Sequence, residues 1–452
     1  MRFAKGSLSF SAAVLHAALD SSVPAGCAGF AVGLSGGADS AALLAATVAV
    51  GKEFRGLPLR AVHIDHGLQA SASEFRDMCQ KLCQHLGVPL SIIRVEVDDR
   101  AGLSIEASAR EARYAAIAQE LKSGECLLTA HHRKDQAETL LLQALRGAGV
   151  KGLSAMPACR ALGLGWHVRP LLDVPHRELL HFGEHLKDFV WTDPMNADLR
   201  FERAYLRGAL WPLIEKRWPG AEISLSRTAR HMADAQKMLD SAAAPEVARL
   251  RDGEALSVPG LRALAPFKRM SVLRQWLAEA GADAPSAARL AEALRQVLEA
   301  HSDHQCAIAW GHHALRRYRQ RLFLTDVDPP RLQPGSWSST RAAVFPLGGN
   351  LGCLSWGVQA GGIAAEALPA IVMVRGREGG EMLKPAISAR THTVQHLCQS
   401  QGVLPWMRDA LPFIFAGDEL IAVADLWIDA RFCVTADQPG LCVHWSGGPI
   451  MT

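Results

Sequence analysis

The first 170 or so residues alternate short apolar runs with segments of helical periodicity, and this alternation restricts the possible folds more than any other feature. Strands are predicted at 29–35, 59–66, 90–97, 125–132 and 164–172. Helices are predicted near 40–54, 73–87, 106–123 and 135–147. Short apolar strands that alternate with helices of this length form a parallel sheet covered on both faces. We therefore expect an α/β domain with a Rossmann-like parallel sheet, in which ligands bind at the carboxyl ends of the strands.

The predicted secondary structure of the remaining residues changes twice, first to mainly helical and then to short strands with one helix. A helix is predicted through 199–217, and residues 221–330 then have mainly helical patterns with a proline-containing break at 258–260. Proline and glycine concentrate at 327–336, which indicates a linker. Beyond it, short strands flank one helical stretch near 390–401. A chain of 452 residues exceeds a single ordinary core. We predict an α/β domain over 1–220, a mainly helical domain over 221–330, and a small α+β domain over 331–452.

The composition excludes several classes of protein. With 49% hydrophobic and 21% charged residues, the chain is typical of a folded globular protein. The apolar stretch 41–50 is too short to span a bilayer, and the first residues lack a signal-peptide pattern. The ten cysteines are scattered singly, which favours a reducing compartment, and no CxxC pair occurs, which argues against a zinc ribbon or a dithiol site. Cys79 and Cys83 are interpreted as apolar residues on a buried helical face. We expect a cytoplasmic protein with no membrane partner.

The formal net charge of +3 is too small to indicate nucleic-acid binding by itself. A local basic cluster either faces phosphates or forms a solvated surface; it consists of Arg316, Arg317, Arg319 and Arg321. Trp406 and Arg408 could stack on and contact RNA, but Trp406 is equally well interpreted as a core aromatic, so no site is assigned there.

The segment AVGLSGGADS (31–40) leads from an apolar strand directly into a helix. Glycines let the backbone turn tightly and approach a ligand, and the free amides at the start of a helix favour an anion. Ser35 and Ser40 add hydroxyl donors. A bare carboxylate such as Asp39 repels phosphate, and a bridging Mg²⁺ would remove that conflict. The segment is predicted to bind phosphate, the alternative being an ordinary strand-to-helix turn.

Two further polar sets follow predicted strands. Asp135 and Glu138 share a face in the first turn of a helix, where two carboxylates can bind an ammonium group or simply cap the helix. The preceding His131 and His132 are candidate bases or caps of the same turn.

His63, Asp65 and His66 end the second strand, where turn capping or adenine contact is favoured over a metal site. Arg110 lies four residues after Glu106 on a predicted helix and either forms a surface ion pair or points at the substrate.

The motif SGGADS resembles the SGGxDS signature of the ATP-pyrophosphatase superfamily, whose members cleave ATP between the α and β phosphates. Together, SGGADS, HIDHGL, EASAREARY, HHRKDQAETLLLQALRGAG and DPMNADLRFERAYLR resemble the tRNA(Ile)-lysidine synthetase family. The stretch 379–428 is similar to the tRNA-contacting terminal domain of that family. The resemblance implies that 1–220 is the ATP-pyrophosphatase-type catalytic domain, that 221–330 is a tRNA-binding or linking domain, and that 331–452 is a tRNA-binding domain. The sequence departs from the family pattern at Met195 and Ala204, which puts hinge or tRNA contacts of that segment in doubt, not the chemistry. It also departs at Gln69, which weakens any phosphate-binding role of that position.

The resemblance implies the substrates and the roles of particular residues. The partners would be ATP with Mg²⁺, free L-lysine and an isoleucine tRNA with a CAU anticodon. ATP would bind at Ser35, Gly36, Gly37, Ala38, Asp39 and Ser40. Asp39 would act at the metal and the phosphates, and Arg110 would act at the reacting centre. Asp135 and Glu138 would bind the lysine. The wobble cytidine would be adenylated at its 2-carbonyl oxygen, and the lysine side-chain amine would then displace AMP to leave lysidine.

This chemistry creates a conflict for the lysine. An amine attacks only when it is neutral, and holding an amine of pKa about 10.4 neutral near pH 7 costs roughly 4 to 5 kcal/mol. Carboxylates that touch the attacking amine would raise its pKa further. We therefore predict that Asp135 and Glu138 hold mainly the α-amino end of lysine.

Three other functions are compatible with the phosphate motif alone. A tRNA thiolase of the same superfamily commonly uses cysteine pairs or CxxC motifs, and the sequence has no CxxC. A small-molecule amide synthetase that acts on glutamine needs a glutaminase part, which nothing in the sequence resembles. An inactive module that only recruits RNA is disfavoured by intact Ser35, Asp39 and Asp135.

Overall fold

The computed structural model describes residues 10–51, 54, 56–65, 72–95, 105–191, 198–299, 307–328, 330–340, 342–385 and 390–446. Side chains are described for all of these except 72, 73 and 105–111. Among these residues, no helix combines the length and hydropathy that crossing a membrane requires. The chain forms two compact units, 1–240 and 241–452. The division into three domains remains a prediction.

The first unit is built on a six-stranded sheet. Its strands are β1 Gly29–Gly33, β2 Leu59–Asp65, β3 Leu90–Arg94, β4 Glu125–Leu128, β5 Cys159–Leu162 and β6 Gly165–Val168. The strand order is β3-β2-β1-β4-β6-β5. All neighbours are parallel except β5 and β6, which form an antiparallel hairpin at one edge. The predicted parallel sheet is confirmed, and the hairpin strand β5 was not predicted.

Helices cover both faces of this sheet. The helices that begin in the first unit are α1 Ala12–Ser22, α2 Ala38–Val50, α3 Ala72–Leu86, α4 Ile105–Glu120, α5 Arg133–Leu145, α6 Val150–Leu153, α7 His176–Phe182, α8 Glu202–Tyr205, α9 Trp211–Arg217 and α10 Ala221–Leu250, whose last residues belong to the second unit. Alternate residues of β1 enter opposite cores, because successive side chains of a strand point to opposite faces. Phe30 and Val32 belong to the core that contains α2, whereas Ala31 belongs to the core that contains Ile117 of α4.

The helix predicted through 199–217 forms in three parts. A π-helical segment, Leu206–Leu210, connects α8 to α9. Such segments occur mostly as single-turn insertions within α-helices, frequently at functional sites. This one carries Arg207, which reaches the carboxylates discussed below. A 3-10 helix, Glu184–Phe189, follows α7.

The second unit begins with helices and a sheet. Its first elements are β7 Arg251–Asp252, β8 Ala255–Ser257, α11 Val258–Ala263, α12 Pro266–Glu279, α13 Ala287–Glu299, β9 Ala307–Trp310, β10 His313–Tyr318 and β11 Arg321–Asp326. The mainly helical character is confirmed, but the five-stranded sheet β7-β8-β11-β10-β9 was not predicted. The predicted break at 258–260 is misplaced. Helix α10 ends before the β7–β8 hairpin, and the proline of that sequence lies in the first turn of α11, where its missing amide is not needed.

Two arginines of the predicted basic cluster, Arg316 and Arg317 of β10, form hydrogen bonds within the second unit. Arg317 is buried, and its guanidinium donates to the carbonyl oxygens of Val297 and Arg319. Arg316 donates to Thr325 Oγ1 at 2.9 Å. Arg317 therefore fits neither of the two predicted surface roles.

The remaining elements form an α+β arrangement. They are β12 Gly335–Ser338, β13 Val344–Pro346, β14 Cys353–Ala360, β15 Ile371–Arg375, β16 Met382–Leu383, β17 His392–Thr393, α14 Val394–Gln401, β18 Phe413–Ala416, β19 Glu419–Val423, β20 Trp427–Ile428 and β21 Pro439–Ser446. The main sheet has the order β12-β15-β18-β19-β20. Trp406 packs edge-on against Phe323, with ring centroids 5.4 Å apart, which supports its interpretation as a core aromatic.

Candidate active site

The phosphate loop, residues 35–40, connects the carboxyl end of β1 to the start of α2. Gly36 has φ of 84°, and a Cβ atom there would lie 2.9 Å from Phe75 Cδ1, so this position requires glycine. The Ser35 and Ser40 hydroxyls lie 3.1 Å apart, and Ser40 Oγ donates to the carbonyl of Gly37 at 2.9 Å. Gly37 caps α2 without a side-chain hydrogen bond. The first amides of α2 therefore have no side-chain cap to compete with an anionic ligand.

Asp39 of the phosphate loop is held by a histidine that sequence reasoning did not identify. His176 Nε2, in the first turn of α7, lies 2.9 Å from Asp39 Oδ1. The hydrogen bond from the imidazole to this carboxylate raises the pKa of His176. His176 also stacks on His132, with ring centroids 4.2 Å apart. No spacing or motif in the sequence connects His176 with Asp39, because the contact spans the fold.

His132 is the N-cap of α5, as one of the two predicted alternatives proposed. The backbone amide of Asp135 donates to His132 Nδ1 at 3.4 Å, and the amide of His132 donates to Asp135 Oδ2 at 3.0 Å. Because Nδ1 accepts, the proton of the neutral ring lies on Nε2, which is 3.7 Å from Asp39 Oδ2. Burial lowers the pKa of His132. His132 thus connects the phosphate loop with the start of α5.

The carboxylate pair, Asp135 and Glu138, is buried at the ligand edge of the sheet. Arg207 bridges the two: its Nε lies 2.8 and 2.9 Å from the Glu138 oxygens, and its Nη2 donates to Asp135 Oδ1. Arg203 Nε lies 3.7 Å from Glu138 Oε2, and Arg203 Nη2 donates to Thr139 Oγ1 at 2.8 Å. In this structure the pair thus binds a cationic group of the chain itself, the Arg207 guanidinium.

The two carboxylates differ in their proton affinity. Burial raises the pKa of Glu138, although Arg207 opposes the shift. Burial also disfavours ionised Asp135, but its electrostatic interactions with His132 and Arg207 outweigh burial and lower the pKa of Asp135. Neither Arg203 nor Arg207 was singled out from the sequence. Both lie in the motif DPMNADLRFERAYLR, four residues apart, and this spacing on a helix was the available signal.

Asp39, His132 and His176 form a group whose potential metal-ligating atoms all lie within 4.8 Å of one another. Mg²⁺ prefers oxygen ligands and is usually held by one or two carboxylates together with substrate phosphates. The proton on His132 Nε2 and the hydrogen bond of His176 leave Asp39 as the ligand that suits Mg²⁺. The residues fit a cation shared with ATP, and they do not fit an all-protein magnesium site.

Three further candidate residues of the sequence analysis lie in the part of the chain whose backbone the structure describes. His63 is buried, and its Nδ1 donates to the Leu34 carbonyl at 2.9 Å, so it anchors the entry to the phosphate loop. His131 Nδ1 lies 2.8 Å from Thr129 Oγ1. Arg110 lies on α4, but its side chain is outside the described residues.

Some predictions fall outside the described part of the chain altogether. These are the roles considered for His66, Gln69 and Met195. Ala204 is buried on α8. Cys79 and Cys83 are buried, as predicted, and burial raises the pKa of Cys79 to about 12 and that of Cys83 to about 11.

Protein-family models match three parts of the chain. A PP-loop domain matches residues 12–214, a TilS substrate binding domain matches 256–323, and a TilS substrate C-terminal domain matches 372–445. The first match contains the phosphate loop, the carboxylate pair and both arginines described above.

Curated relatives match over nearly the full chain. The tRNA(Ile)-lysidine synthase of Alkalilimnicola ehrlichii is 38% identical over 92% of this chain and 93% of its own length. The chain belongs to the tRNA(Ile)-lysidine synthase family. The tRNA(Ile)-lysidine synthase of Coxiella burnetii is likewise 38% identical, over 91% of this chain and 92% of its own length. This family membership makes the chain a ligase with an ATP-binding PP-loop domain.

Among solved structures, the U34-tRNA thiolase NcsA from Methanococcus maripaludis is 16% identical, with a TM-score of 0.40, over 49% of this chain and 78% of that chain. This likeness is too weak to support an argument about function.

Proposed function

We propose that this tRNA(Ile)-lysidine synthase family member ligates free L-lysine to the 2-position of the wobble cytidine of an isoleucine tRNA with a CAU anticodon. The observation that carries the proposal is the buried carboxylate pair, which His132 connects directly to Asp39 of the phosphate loop. One site thus combines a place for nucleotide phosphates with a place for an ammonium group. The names of the curated relatives support the tRNA acceptor.

The first step would activate the tRNA. The cytidine 2-carbonyl oxygen attacks the α phosphorus of ATP, the bond to the bridging oxygen breaks, and pyrophosphate leaves. Residues 35–40 would bind the phosphates through backbone amides and through the hydroxyls of Ser35 and Ser40, and fixed donors of this kind stabilise developing charge. Asp39 would hold Mg²⁺ together with the phosphates, and this ion would supply Lewis-acid neutralisation.

The second step would transfer lysine to the activated base. The neutral side-chain amine attacks C2 of the cytosine, the bond to the adenylate oxygen breaks, AMP leaves, and the amine loses a proton. Asp135 and Glu138 would bind the α-ammonium group, which leaves the attacking amine away from their charge.

Arg207 would complete the recognition of the amino-acid head group. Its Nε and Nη2 donate hydrogen bonds to the carboxylate pair. Its Nη1 has no hydrogen-bond partner among the described residues. The side chain of Arg207 is 40% exposed, so this nitrogen can contact the α-carboxylate of lysine. Arg110 is proposed to act at the reacting centre, on the basis of the family resemblance and its place on α4.

The remainder of the chain would bind the tRNA. The matches to substrate-binding family models at 256–323 and 372–445 support contacts in the predicted domains 221–330 and 331–452. A thiolase reaction is disfavoured by the cysteine nearest the phosphate loop in the described structure. Cys79 is buried against His63, and its raised pKa keeps the thiol protonated at neutral pH.

Pyrophosphate release tests the order of the two steps. Purified enzyme with ATP, Mg²⁺ and the isoleucine tRNA should release pyrophosphate and form adenylated tRNA without lysine, and added lysine should convert the adenylate to AMP. Omission of the tRNA should abolish the release. Pyrophosphate release that needs lysine but not tRNA would contradict the proposal and indicate an adenylated amino acid.

A further inference from the structure

The turn between α9 and α10 exposes a large aromatic side chain. Trp218 is 60% exposed, whereas Trp211, at the start of α9, is buried. The backbone that carries Trp218 is fixed, because its amide donates to the Ile214 carbonyl at 2.7 Å and its carbonyl accepts from the Ala221 amide at 2.9 Å. The indole ring is thus presented to solvent by a well-bonded turn.

The segment that contains this turn has an excess of positive charge. Residues 199–231 carry seven lysines and arginines against three glutamates, a larger excess than the +3 of the whole chain. Several of these cations are neutralised by acidic partners: Arg200, Arg203, Arg207 and Arg230. Lys216, Arg217 and Arg227 have no acidic partner among the residues that the structure describes. The uncompensated charge therefore lies on both sides of Trp218 in the sequence.

The exposed ring lies within reach of the candidate active site. Residues 206–217 are helical, and eleven residues at a rise of about 1.5 Å place Trp218 about 16 Å from Arg207 along the helix axis. Lys134, in the first turn of α5, lies over the Trp211 ring at 5.4 Å, so α9 begins beside the carboxylate pair. A tRNA whose wobble base enters the site must place the neighbouring anticodon-loop nucleotides within this distance.

We propose that Trp218, with Lys216 and Arg217, is a stacking platform for an unpaired base of the anticodon loop; this inference rests on the proposed function. Unpaired RNA bases are recognised by stacking on aromatic rings and arginine planes, with cations contacting the phosphates. Arg217 places its guanidinium 5.6 Å from the centroid of the Trp218 ring, so both kinds of group are side by side. The unpaired positive charge favours RNA over a protein partner.

The test measures binding of a fluorescein-labelled CAU anticodon stem-loop to the full chain by anisotropy. Trp218→Leu keeps apolar bulk but removes the π face, and Trp218→Phe keeps a ring. Leu213→Ala is the matched control, because Leu213 is 65% exposed on α9 and has no ring. We expect Trp218→Leu to weaken binding about tenfold, Trp218→Phe less than threefold and Leu213→Ala less than twofold. ATP affinity should not change.

A charge variant provides a second readout. Lys216→Ala with Arg217→Ala should reduce the slope of log Kd against log salt concentration by about 1.4, since each phosphate contact to a single strand contributes about 0.7.

The platform is refuted if Trp218→Leu binds like the wild type, if Trp218→Phe loses as much as Trp218→Leu, or if Leu213→Ala weakens binding equally. The last outcome would indicate that exposed apolar bulk, and not a stacking ring, contributes to RNA binding. Wild-type enzyme that binds the stem-loop without attaching lysine would refute the proposed function and leave the platform standing.

Discussion

Replacement of Arg207 by alanine should destabilise the first unit in a pH-dependent way. Arg207 makes three hydrogen bonds to the carboxylate pair, and Glu138, which accepts two of them, has no solvent exposure. Removing one partner of a buried ion pair typically costs 3–5 kcal/mol. Because Arg207 is itself 40% exposed, water can enter the vacated space, and we expect a loss of about 2 to 3 kcal/mol. In a unit of this size, that corresponds to a decrease in melting temperature of about 5 to 10 °C.

The sign of the pH dependence follows from Glu138. Burial already raises its pKa above the ordinary value, and loss of Arg207 removes the hydrogen bonds that oppose this shift. A carboxyl group with a raised folded-state pKa stabilises the fold fully below its unfolded pKa, and this contribution is lost as the pH rises through the folded pKa. The deficit of Arg207→Ala relative to the wild type should therefore be smallest near pH 5 and largest near pH 8.

Calorimetry of the full chain across this pH range measures the effect. Glu138→Gln combined with Arg207→Ala should recover most of the lost stability at about pH 8, because the buried charge is then absent. Arg203→Ala is the control, since Arg203 lies beside Glu138 but bonds Thr139. A deficit below about 1 kcal/mol, or one that is equal at both pH values, would refute the reasoning.

Three further predictions concern the phosphate loop and the amino-acid site. Gly36→Ala should lower the free energy of unfolding by about 1 to 3 kcal/mol in thermal unfolding, because the φ of Gly36 is 84°. Gly37→Ala should lower it by less than half as much, because the φ of Gly37 is negative. Equal losses of stability would contradict this prediction. Asp39→Asn should lower kcat for pyrophosphate release at least about 100-fold at saturating Mg²⁺, and a loss below tenfold would remove Asp39 from the metal site. In calorimetric titration, 6-aminohexanoate, which lacks the α-amino group, should bind at least about tenfold more weakly than lysine; equal affinity would show that Asp135 and Glu138 do not hold that group.

Local sequence patterns were sufficient to predict the parallel strands of the first unit and the helices α2 to α5 between them. The predicted strand at 125–132 and helix at 135–147 appear as β4 and α5, because periodicity and the strand-to-helix turn are both local signals. Asp135 and Glu138 became candidates for the same reason, since both lie in the first turn of the predicted helix. The strands β7–β11 were missed, because a segment rich in alanine, leucine and arginine carries strong helical propensity while short antiparallel pairs depend on distant partners.

The partners of the site residues could not be predicted in the same way. His176 reaches Asp39 across 137 positions, and Arg207 reaches Asp135 across 72, so no local pattern connects them. Arg317 shows the opposite error. Its position within a run of arginines indicated a surface, but the carbonyl of Val297, at the end of α13, satisfies its guanidinium within the core.

Incorporation of radiolabelled lysine into tRNA tests the central claim most directly. The enzyme, with ATP and Mg²⁺, should attach labelled lysine to an isoleucine tRNA with a CAU anticodon, with AMP and pyrophosphate formed in stoichiometric amounts. A tRNA whose wobble cytidine is replaced by uridine should remain unlabelled. Transfer of sulfur instead of lysine, or labelling that does not depend on the wobble cytidine, would contradict the proposed lysine ligase.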